Sequence, residues 1–240
     1  MLPTPQGSIR LGRIAGIRLF VHWSWLIVAA YQIQNRPKEY SSLGWAVAEY
    51  LALFVIVLMH EFGHSLACRQ TGGTADQIIL WPLGGVAYVA PPPRPGAVLW
   101  SIVAGPLVNL VLVPVIFGAW FAAVQLGWGG VGGDWVKFLW NLFVINLLLL
   151  VFNLLPVFPL DGGQILRALL WFPLGPVRSL YYASLTGFLG VAGLVALAIW
   201  MGSIWMGVLA FFVLTNCLGA FRNARAMAAM ARLQREPGSA

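Results

Sequence analysis

Charged side chains are scarce in this 240-residue chain, because Asp, Glu, Lys and Arg together make up only 9% of it. Soluble globular domains carry about 25% charged residues. Hydrophobic residues make up 60% of the chain, and the mean hydropathy is +0.84. This shortage of charge excludes an ordinary soluble domain and predicts an integral membrane protein, with the lipid bilayer as its surroundings.

Cysteine is also rare, with only Cys68 and Cys217, and both lie in apolar segments of helical pattern. A disulfide framework is therefore not expected. The net charge of +7 would suit a nucleic-acid partner. However, the arginines lie in small groups beside apolar stretches instead of forming one stripe, so we expect no nucleic acid as partner. No pattern in the sequence indicates an oligomeric state.

Six apolar stretches approach the roughly 20 residues needed to cross a hydrocarbon core of about 30 Å. They lie near residues 19–34, 45–67, 97–126, 136–158, 179–200 and 203–221. We therefore predict an all-α membrane protein with six transmembrane helices in a single domain over residues 1–221, followed by a basic tail over 222–240. The first stretch is the shortest, and basic residues before it leave a cleaved signal peptide as an alternative.

The distribution of positive charge predicts the orientation of these spans. Six spans place both termini on one side, where eleven Lys and Arg residues lie, against three on the other side. Because cytoplasmic loops are enriched in Lys and Arg, we predict a multi-pass cell-membrane protein with both termini in the cytoplasm. Twelve arginines against two lysines indicate a GC-rich genome and favour a prokaryotic inner membrane.

Two segments do not read as helices. Residues 8–18 alternate imperfectly and contain two glycines, and residues 76–90 hold β-formers around a Pro-Leu-Gly-Gly turn signal. Both predict short strands at the cytoplasmic membrane surface. Such backbone is tolerated at membrane depth only where protein or a water-filled cavity satisfies its polar groups. For residues 76–90 an ordinary loop remains the alternative.

The second predicted span carries a metal-binding motif near its cytoplasmic end. His60 and His64 are four residues apart, so both imidazoles share one helix face and can reach one ion. Glu61 is rotated to the side where a metal-bound water would lie, which is the arrangement of zinc hydrolases. Ionisable residues inside a span are costly and indicate function. The alternative is a polar cluster that neighbouring helices satisfy.

A catalytic zinc ion has three protein ligands and one open position. The chain has seven acidic residues, and six of them are placed in loops, in the tail, far from the motif or as the base. Asp161 remains, after Pro156 and Pro159, which should break the fourth span at the depth of His64. We predict that Asp161 is the third ligand, with a helix N-cap as its alternative or additional role.

These residues resemble the site-2 protease family of intramembrane zinc metalloproteases. The resemblance runs from the first span to the fourth, and many relatives have PDZ or CBS modules for which this chain has no room. It is carried by GIRLFVHWSW at 16–25, HEFGH at 60–64, PLGGVA at 82–87, AGPLVN at 104–109 and FNLLPVFPLDGG at 152–163.

The resemblance implies a fold, an activity and further site residues. It implies one zinc ion per chain, held by His60, His64 and Asp161, and hydrolysis of peptide bonds in or near transmembrane helices of membrane-protein substrates. Glu61 would be the general base acting on zinc-activated water. The segment with Gly84 and Gly85 would be a membrane-embedded strand that binds substrate, and Asn153 and Pro156 would line the substrate groove.

Three further polar residues are candidates for supporting roles. Asn109 and Asn146 would orient ligands or catalytic groups, or else join helices by hydrogen bonds. His22 would support the site or gate it, or else form a polar contact between helices. Two other functions remain as alternatives, a membrane metal transporter and a relative that binds membrane helices without cutting them.

Overall fold

The computed structural model describes residues 7–35, 40–81, 84–128 and 133–233. These ranges contain six helices and four strands. In chain order they are β1 (Ser8–Ile14), β2 (Ile17–His22), α1 (Ser24–Asn35), α2 (Leu43–Gln70), β3 (Thr74–Trp81), β4 (Gly84–Ala90), α3 (Pro95–Gln125), α4 (Asp134–Leu154), α5 (Asp161–Met201) and α6 (Ile204–Leu233).

The helices confirm a mostly helical multi-pass membrane protein. Five helices within the described ranges, α2 to α6, are long and apolar enough to cross a membrane. Their cores agree with the predicted spans at 45–67, 97–126, 136–158, 179–200 and 203–221. Helix α6 continues to Leu233, so most of the predicted tail is helical. Residues 234–240 lie outside the described residues.

The first predicted span needs correction. Residues 19–22 belong to strand β2, and the helix that follows, α1, covers only Ser24–Asn35. Twelve residues at about 1.5 Å each reach about 18 Å, which is shorter than a hydrocarbon core of about 30 Å. Ile17 and Leu19 alternate with Arg18 and are both buried, the period-2 pattern of a strand. Six transmembrane helices are therefore not confirmed.

The helix observed at the fourth predicted span is shorter than predicted, and the helix observed at the fifth is longer. Helix α4 ends at Leu154, because Pro156 cannot donate a helical hydrogen bond and disfavours helical backbone in the residue before it. Helix α5 consists of two segments joined at Gly175, whose φ of 76° interrupts the helix. Pro176 then suits the first turn of the second segment, which contains the predicted fifth span.

The four strands form one sheet in the order β1-β2-β3-β4, which agrees with the two predicted strand segments. β1 and β2 form an antiparallel hairpin, β2 pairs with β3 in parallel, and β3 pairs with β4 antiparallel. Ala15 and Gly16 join β1 to β2 with φ of 48° and 78°, as a type I′ turn requires. Pro82 and Leu83, between β3 and β4, lie outside the described residues.

One of two compact units in the chain comprises Met1–Pro92 and Val103–Val151. In it, one face of the sheet packs on helix α2. Ile17, Ile78 and Leu80 of the sheet form a buried cluster with Val57 of α2 and Trp25 of α1. This packing fixes the C-terminal half of α2, which carries the predicted metal motif, beside strands β3 and β4.

The other compact unit comprises Pro93–Ile102 and Phe152–Ala240. Here α5 and α6 pack through a cluster of Val191, Val213 and Cys217. The Cys217 thiol donates a hydrogen bond to the Phe158 carbonyl at 2.9 Å, which ties the segment after α4 to α6.

Candidate metal centre

Helix α2 brings the two histidines of the motif together. His60 is 6% exposed and His64 is 8% exposed, and their Nε2 atoms are 3.1 Å apart. The two rings are nearly perpendicular, at 84°, with centroids separated by 4.7 Å. Two ring nitrogens this close can approach the same ion as neutral ligands.

A chain of hydrogen bonds sets which nitrogen of His60 carries the proton. The backbone carbonyl oxygen of Asn109 can only accept a hydrogen bond, so the side-chain nitrogen Nδ2 of Asn146 donates to it at 2.9 Å. Asn146 Oδ1 therefore accepts from Asn109 Nδ2 at 2.8 Å. This leaves Asn109 Oδ1 to accept from His60 Nδ1 at 2.5 Å. The proton then lies on Nδ1, and the lone pair of Nε2 is available to a metal.

Asn109 and Asn146 are both completely buried. Asn109 belongs to α3 and Asn146 to α4, so the hydrogen bonds also join these helices to α2. These contacts join the helices and contact the His60 ring, and the role of the two asparagines in orienting a metal ligand stays a prediction. In a low-dielectric surrounding, a fully satisfied chain of this kind is stabilising and holds its members in one arrangement.

Glu61 lies on the next face of α2, where strand β4 fixes its carboxylate. It is 6% exposed, and its Oε2 accepts a hydrogen bond from the Ala87 backbone N–H at 2.8 Å. Gly85 approaches so closely that a Cβ there would lie 2.6 Å from Glu61 Oε1. Of the two predicted strand glycines, Gly85 therefore contacts Glu61, whereas a Cβ at Gly84 would have nothing within 4 Å.

Two glycines that sequence reasoning did not single out allow α3 to approach the motif. A Cβ on Gly63 would lie 2.5 Å from the Ala104 carbonyl oxygen. A Cβ on Gly105 would overlap His64 Nε2 and lie 2.9 Å from His60 Nε2. Small residues that permit such contact are typical of packed membrane helices. The sequence signal that could have identified these two glycines is the presence of one glycine within each of the segments HEFGH and AGPLVN.

Asp161 is the first residue of α5, and the N-cap position belongs to Leu160. The predicted N-cap role for Asp161 is therefore wrong, because the aspartate already has helical backbone. The next two residues, Gly162 and Gly163, are buried, and a Cβ on either would overlap backbone atoms of residues 154–158. Only glycine permits this tight connection from α4 into α5.

His60, His64 and Asp161 form a group that could hold a metal ion. Each offers one ligand atom, and the three atoms lie within 4.8 Å of one another. Two imidazole nitrogens and one carboxylate oxygen are a donor set that zinc accepts, with one position left open. The residues present therefore fit the ion that the sequence predicts.

The remaining predicted residues have other surroundings. Asn153 lies in the last turn of α4 and is half-buried, and Pro156 is exposed in the turn after it. His22 ends β2, and its Nδ1 lies 2.5 Å from the Ser24 hydroxyl at the start of α1. This local contact favours a structural role for His22 over a role in supporting the metal centre.

We expect Gly105→Ala to lower zinc affinity by at least about tenfold, in the range seen when the surroundings of ligands are changed. The added methyl group would press on both ligand nitrogens, while alanine is a better helix former than glycine, so α3 should persist. Zinc content by elemental analysis and helicity by circular dichroism check this. The control is Gly118→Ala in the same helix, where a Cβ would meet nothing within 4 Å. Equal zinc affinity in both variants would contradict the contact.

A protein-family model matches most of the chain, and several curated proteins are similar to the chain in sequence. The sequence model of peptidase family M50 matches residues 48–127 and 130–197. A zinc metalloprotease of Methanocaldococcus jannaschii is 34% identical over 75% of this chain and 50% of its own length. A Mycobacterium tuberculosis protein, named as a candidate zinc metalloprotease, is 31% identical over 87% of this chain and 57% of its own.

A solved structure is also similar. The site-2 protease from Methanocaldococcus jannaschii aligns with a TM-score of 0.62 and 28% identity, over 89% of this chain and 95% of that one. The chain spans between half and three-fifths of the length of the two curated relatives.

Proposed function

This chain belongs to peptidase family M50, the site-2 proteases, and on that premise we propose that it is an intramembrane zinc metalloprotease. Its substrates would be membrane proteins, cut in or near their transmembrane helices. The observation that supports this most directly is that His60, His64 and Asp161 form a group that could hold a metal ion, while the described residues contain five apolar helices long enough to cross a membrane. The proposal places this activity in a single domain over residues 1–221.

In this proposal one zinc ion per chain is held by His60 Nε2, His64 and Asp161. When bound, zinc would polarise the scissile carbonyl and lower the pKa of its water ligand towards about 7. Glu61 takes the proton of the attacking water and passes it to the leaving amine. The hydrogen bond from the Ala87 N–H leaves the carboxylate in a defined orientation for this transfer.

Substrate binding is proposed along strand β4. A helix hides its carbonyl groups, so the substrate must be extended locally before it is cut. β4 is the last strand in the described sheet and contacts Glu61 through Gly85 and Ala87. An extended substrate segment that pairs with this edge would lie beside the base. Asn153 and Pro156 are proposed to line the substrate groove.

The test is cleavage of a transmembrane substrate by the chain in lipid vesicles. We expect a zinc chelator to abolish cleavage and added zinc to restore it, because the ion supplies the polarisation. Zinc flux into the vesicles, measured in parallel, should stay at the background level, which separates a protease from a transporter. Cleavage that persists after complete removal of zinc would refute the proposal.

We also propose that the chain crosses a prokaryotic inner membrane six times, with both termini in the cytoplasm. The first crossing would combine β2 and α1. Six strand residues at about 3.3 Å and twelve helical residues at about 1.5 Å reach about 38 Å together, which exceeds a hydrocarbon core of about 30 Å. Burial of Ile17 and Leu19 shields the strand, as non-helical backbone at this depth requires.

Reporter fusions check this orientation. We expect fusions within residues 1–10, 70–76 and 225–240 to report the cytoplasm, and fusions within 36–40 and 130–134 to report the outside, because eleven Lys and Arg residues lie on the first side and three on the second. A C-terminal fusion that reports the outside would show an odd number of crossings.

A further inference from the structure

The hairpin of β1 and β2 presents arginines on the sheet face opposite to α2. Ile17 and Leu19 point towards α2 and are buried, so Arg18, which lies between them, points to the other face. Arg13 is the cross-strand partner of Arg18, and Arg10 is the partner of Phe20. Because directly paired residues share a face, the three arginines lie on the same exposed face.

A fourth arginine reaches the turn of this hairpin from α2. Arg69 donates to the Ala15 carbonyl and to the Ala75 carbonyl, each at 2.5 Å, and so joins the turn to β3. A Cβ on Gly16 would lie 3.4 Å from a guanidinium nitrogen of Arg69 and 3.8 Å from one of Arg13. Two guanidinium groups therefore lie close to the turn.

This concentration of positive charge is not neutralised within the part of the chain that the structure describes. No Asp or Glu there forms an ion pair with Arg10, Arg13 or Arg18. Like charges directly opposite each other in a sheet are destabilising, and Arg13 faces Arg18 in that way. An anion that contacts both guanidinium groups would remove the repulsion and gain paired hydrogen bonds.

Strand β1 also exposes large apolar side chains, of which Ile9 and Ile14 pair with Val21 and Ile17 and so lie on the face opposite to the arginines. Ile9, Leu11 and Ile14 of β1 are each 54% exposed. Strand β1 thus combines arginines with large aliphatic groups within seven residues. This is the chemistry of a segment at the boundary between headgroups and acyl chains, where aliphatic groups enter the bilayer and cations meet phosphate.

From these contacts we propose that the hairpin over residues 8–22 binds the phosphate headgroup of an anionic phospholipid. Arg13 and Arg18 would hold the phosphate, with Arg10 on the same face, while Ile9 and its neighbours contact the acyl chains from the other face of β1. The site lies on the sheet face opposite to the buried cluster with α2, so it is separate from the metal centre. It depends on the turn of the hairpin and the Arg18 end of β2 lying at the level of the headgroups, and it does not depend on protease activity.

Lipid binding to the purified full chain in neutral detergent tests the proposal. Phosphatidylglycerol and phosphatidylcholine with identical acyl chains are titrated separately, and bound lipid is counted by native mass spectrometry. We expect phosphatidylglycerol to bind at least about tenfold more tightly than phosphatidylcholine. The double variant Arg13→Gln, Arg18→Gln should lose this preference. The double variant Arg13→Lys, Arg18→Lys, which keeps the charge, should retain part of it and shows that the hairpin tolerates substitution.

The matched control is the double variant Arg222→Gln, Arg225→Gln, which removes two exposed arginines of α6 and should keep the full preference. Equal binding of both lipids to the unmodified chain would overturn the proposal, as would equal losses in the hairpin and control variants. Displacement of phosphatidylglycerol by inorganic phosphate at the same concentration would overturn the assignment to a lipid. Zinc content and cleavage, measured on the same samples, show separately whether the proposed protease function holds.

Discussion

Glu61→Gln is expected to keep the zinc and the fold while peptide hydrolysis falls by about 10² to 10⁴-fold, the usual contribution of a general base. Glutamine has nearly the same shape and can still accept the hydrogen bond from the Ala87 N–H. It cannot take a proton from water. Elemental analysis for zinc and the rate of cleavage of a co-expressed membrane substrate measure the two effects separately.

A matched control for this variant lies in the same helix. Glu49 is also a buried acid of α2, 2% exposed, and its carboxylate accepts hydrogen bonds from the Tyr40 hydroxyl and from Asn141 Nδ2. Glu49→Gln removes the same charge eleven residues away from the metal motif and should change hydrolysis by less than about threefold. If Glu61→Gln cleaves at the rate of the unmodified chain, the proposed mechanism is wrong whatever its zinc content.

The Glu61→Gln variant, which should bind substrate without cutting it, also separates a protease from a relative that only binds membrane helices. A substrate that co-purifies with Glu61→Gln and is cut by the unmodified chain indicates hydrolysis. A helix that co-purifies with both and is cut by neither indicates a binding protein, which was one alternative reading of the sequence.

The grouping of His60, His64 and Asp161 could be predicted because their spacing on a helix and the scarcity of acidic residues acted together. The four-residue spacing of His60 and His64 fixes their common face on any helix, whatever packs around it. The chain has only seven acidic residues, so elimination led to Asp161. The structure brings these three residues together, but their roles as ligands remain a proposal that metal analysis must test.

The surroundings of the ligands could not be predicted, since they depend on contacts between distant segments. Asn109 is 49 residues from its partner His60 and 37 residues from its partner Asn146. The sequence suggested both asparagines as candidates but not the direction of their hydrogen bonds. The importance of Gly105 could not be predicted either, because its close contact with the histidines of α2 exists only once α3 has packed on that helix.

The first predicted span shows where hydropathy fails. Ile17, Leu19 and Val21 of β2 pack into the same cluster beside α2, and in the sequence their apolar run continues directly into α1. A short apolar run cannot be assigned to helix or strand by periodicity alone. The alternation and the two glycines of residues 8–18 indicated a strand, whereas the apolar residues that follow favoured a span over 19–34.

Asp161→Asn is expected to weaken zinc binding by more than about 100-fold, the upper range for changes outside the ligand shell, and to abolish hydrolysis. A neutral amide oxygen is a poorer ligand for zinc than a carboxylate, so the two histidines alone would have to retain the ion. Titration with a competing chelator measures the affinity of the purified variant. His64→Ala should show a loss of the same order, because it also removes one ligand.

Asp134→Asn provides the control, because Asp134 is likewise an acid at the first residue of a helix, α4, and its carboxylate accepts a hydrogen bond from the Ser41 backbone N–H at 3.2 Å. It should keep full zinc affinity and full hydrolysis. Together with Glu61→Gln, which loses hydrolysis and keeps zinc, these variants separate a ligand from a base. If Asp161→Asn binds zinc as tightly as Asp134→Asn, Asp161 is not a ligand, and the third position belongs to another group.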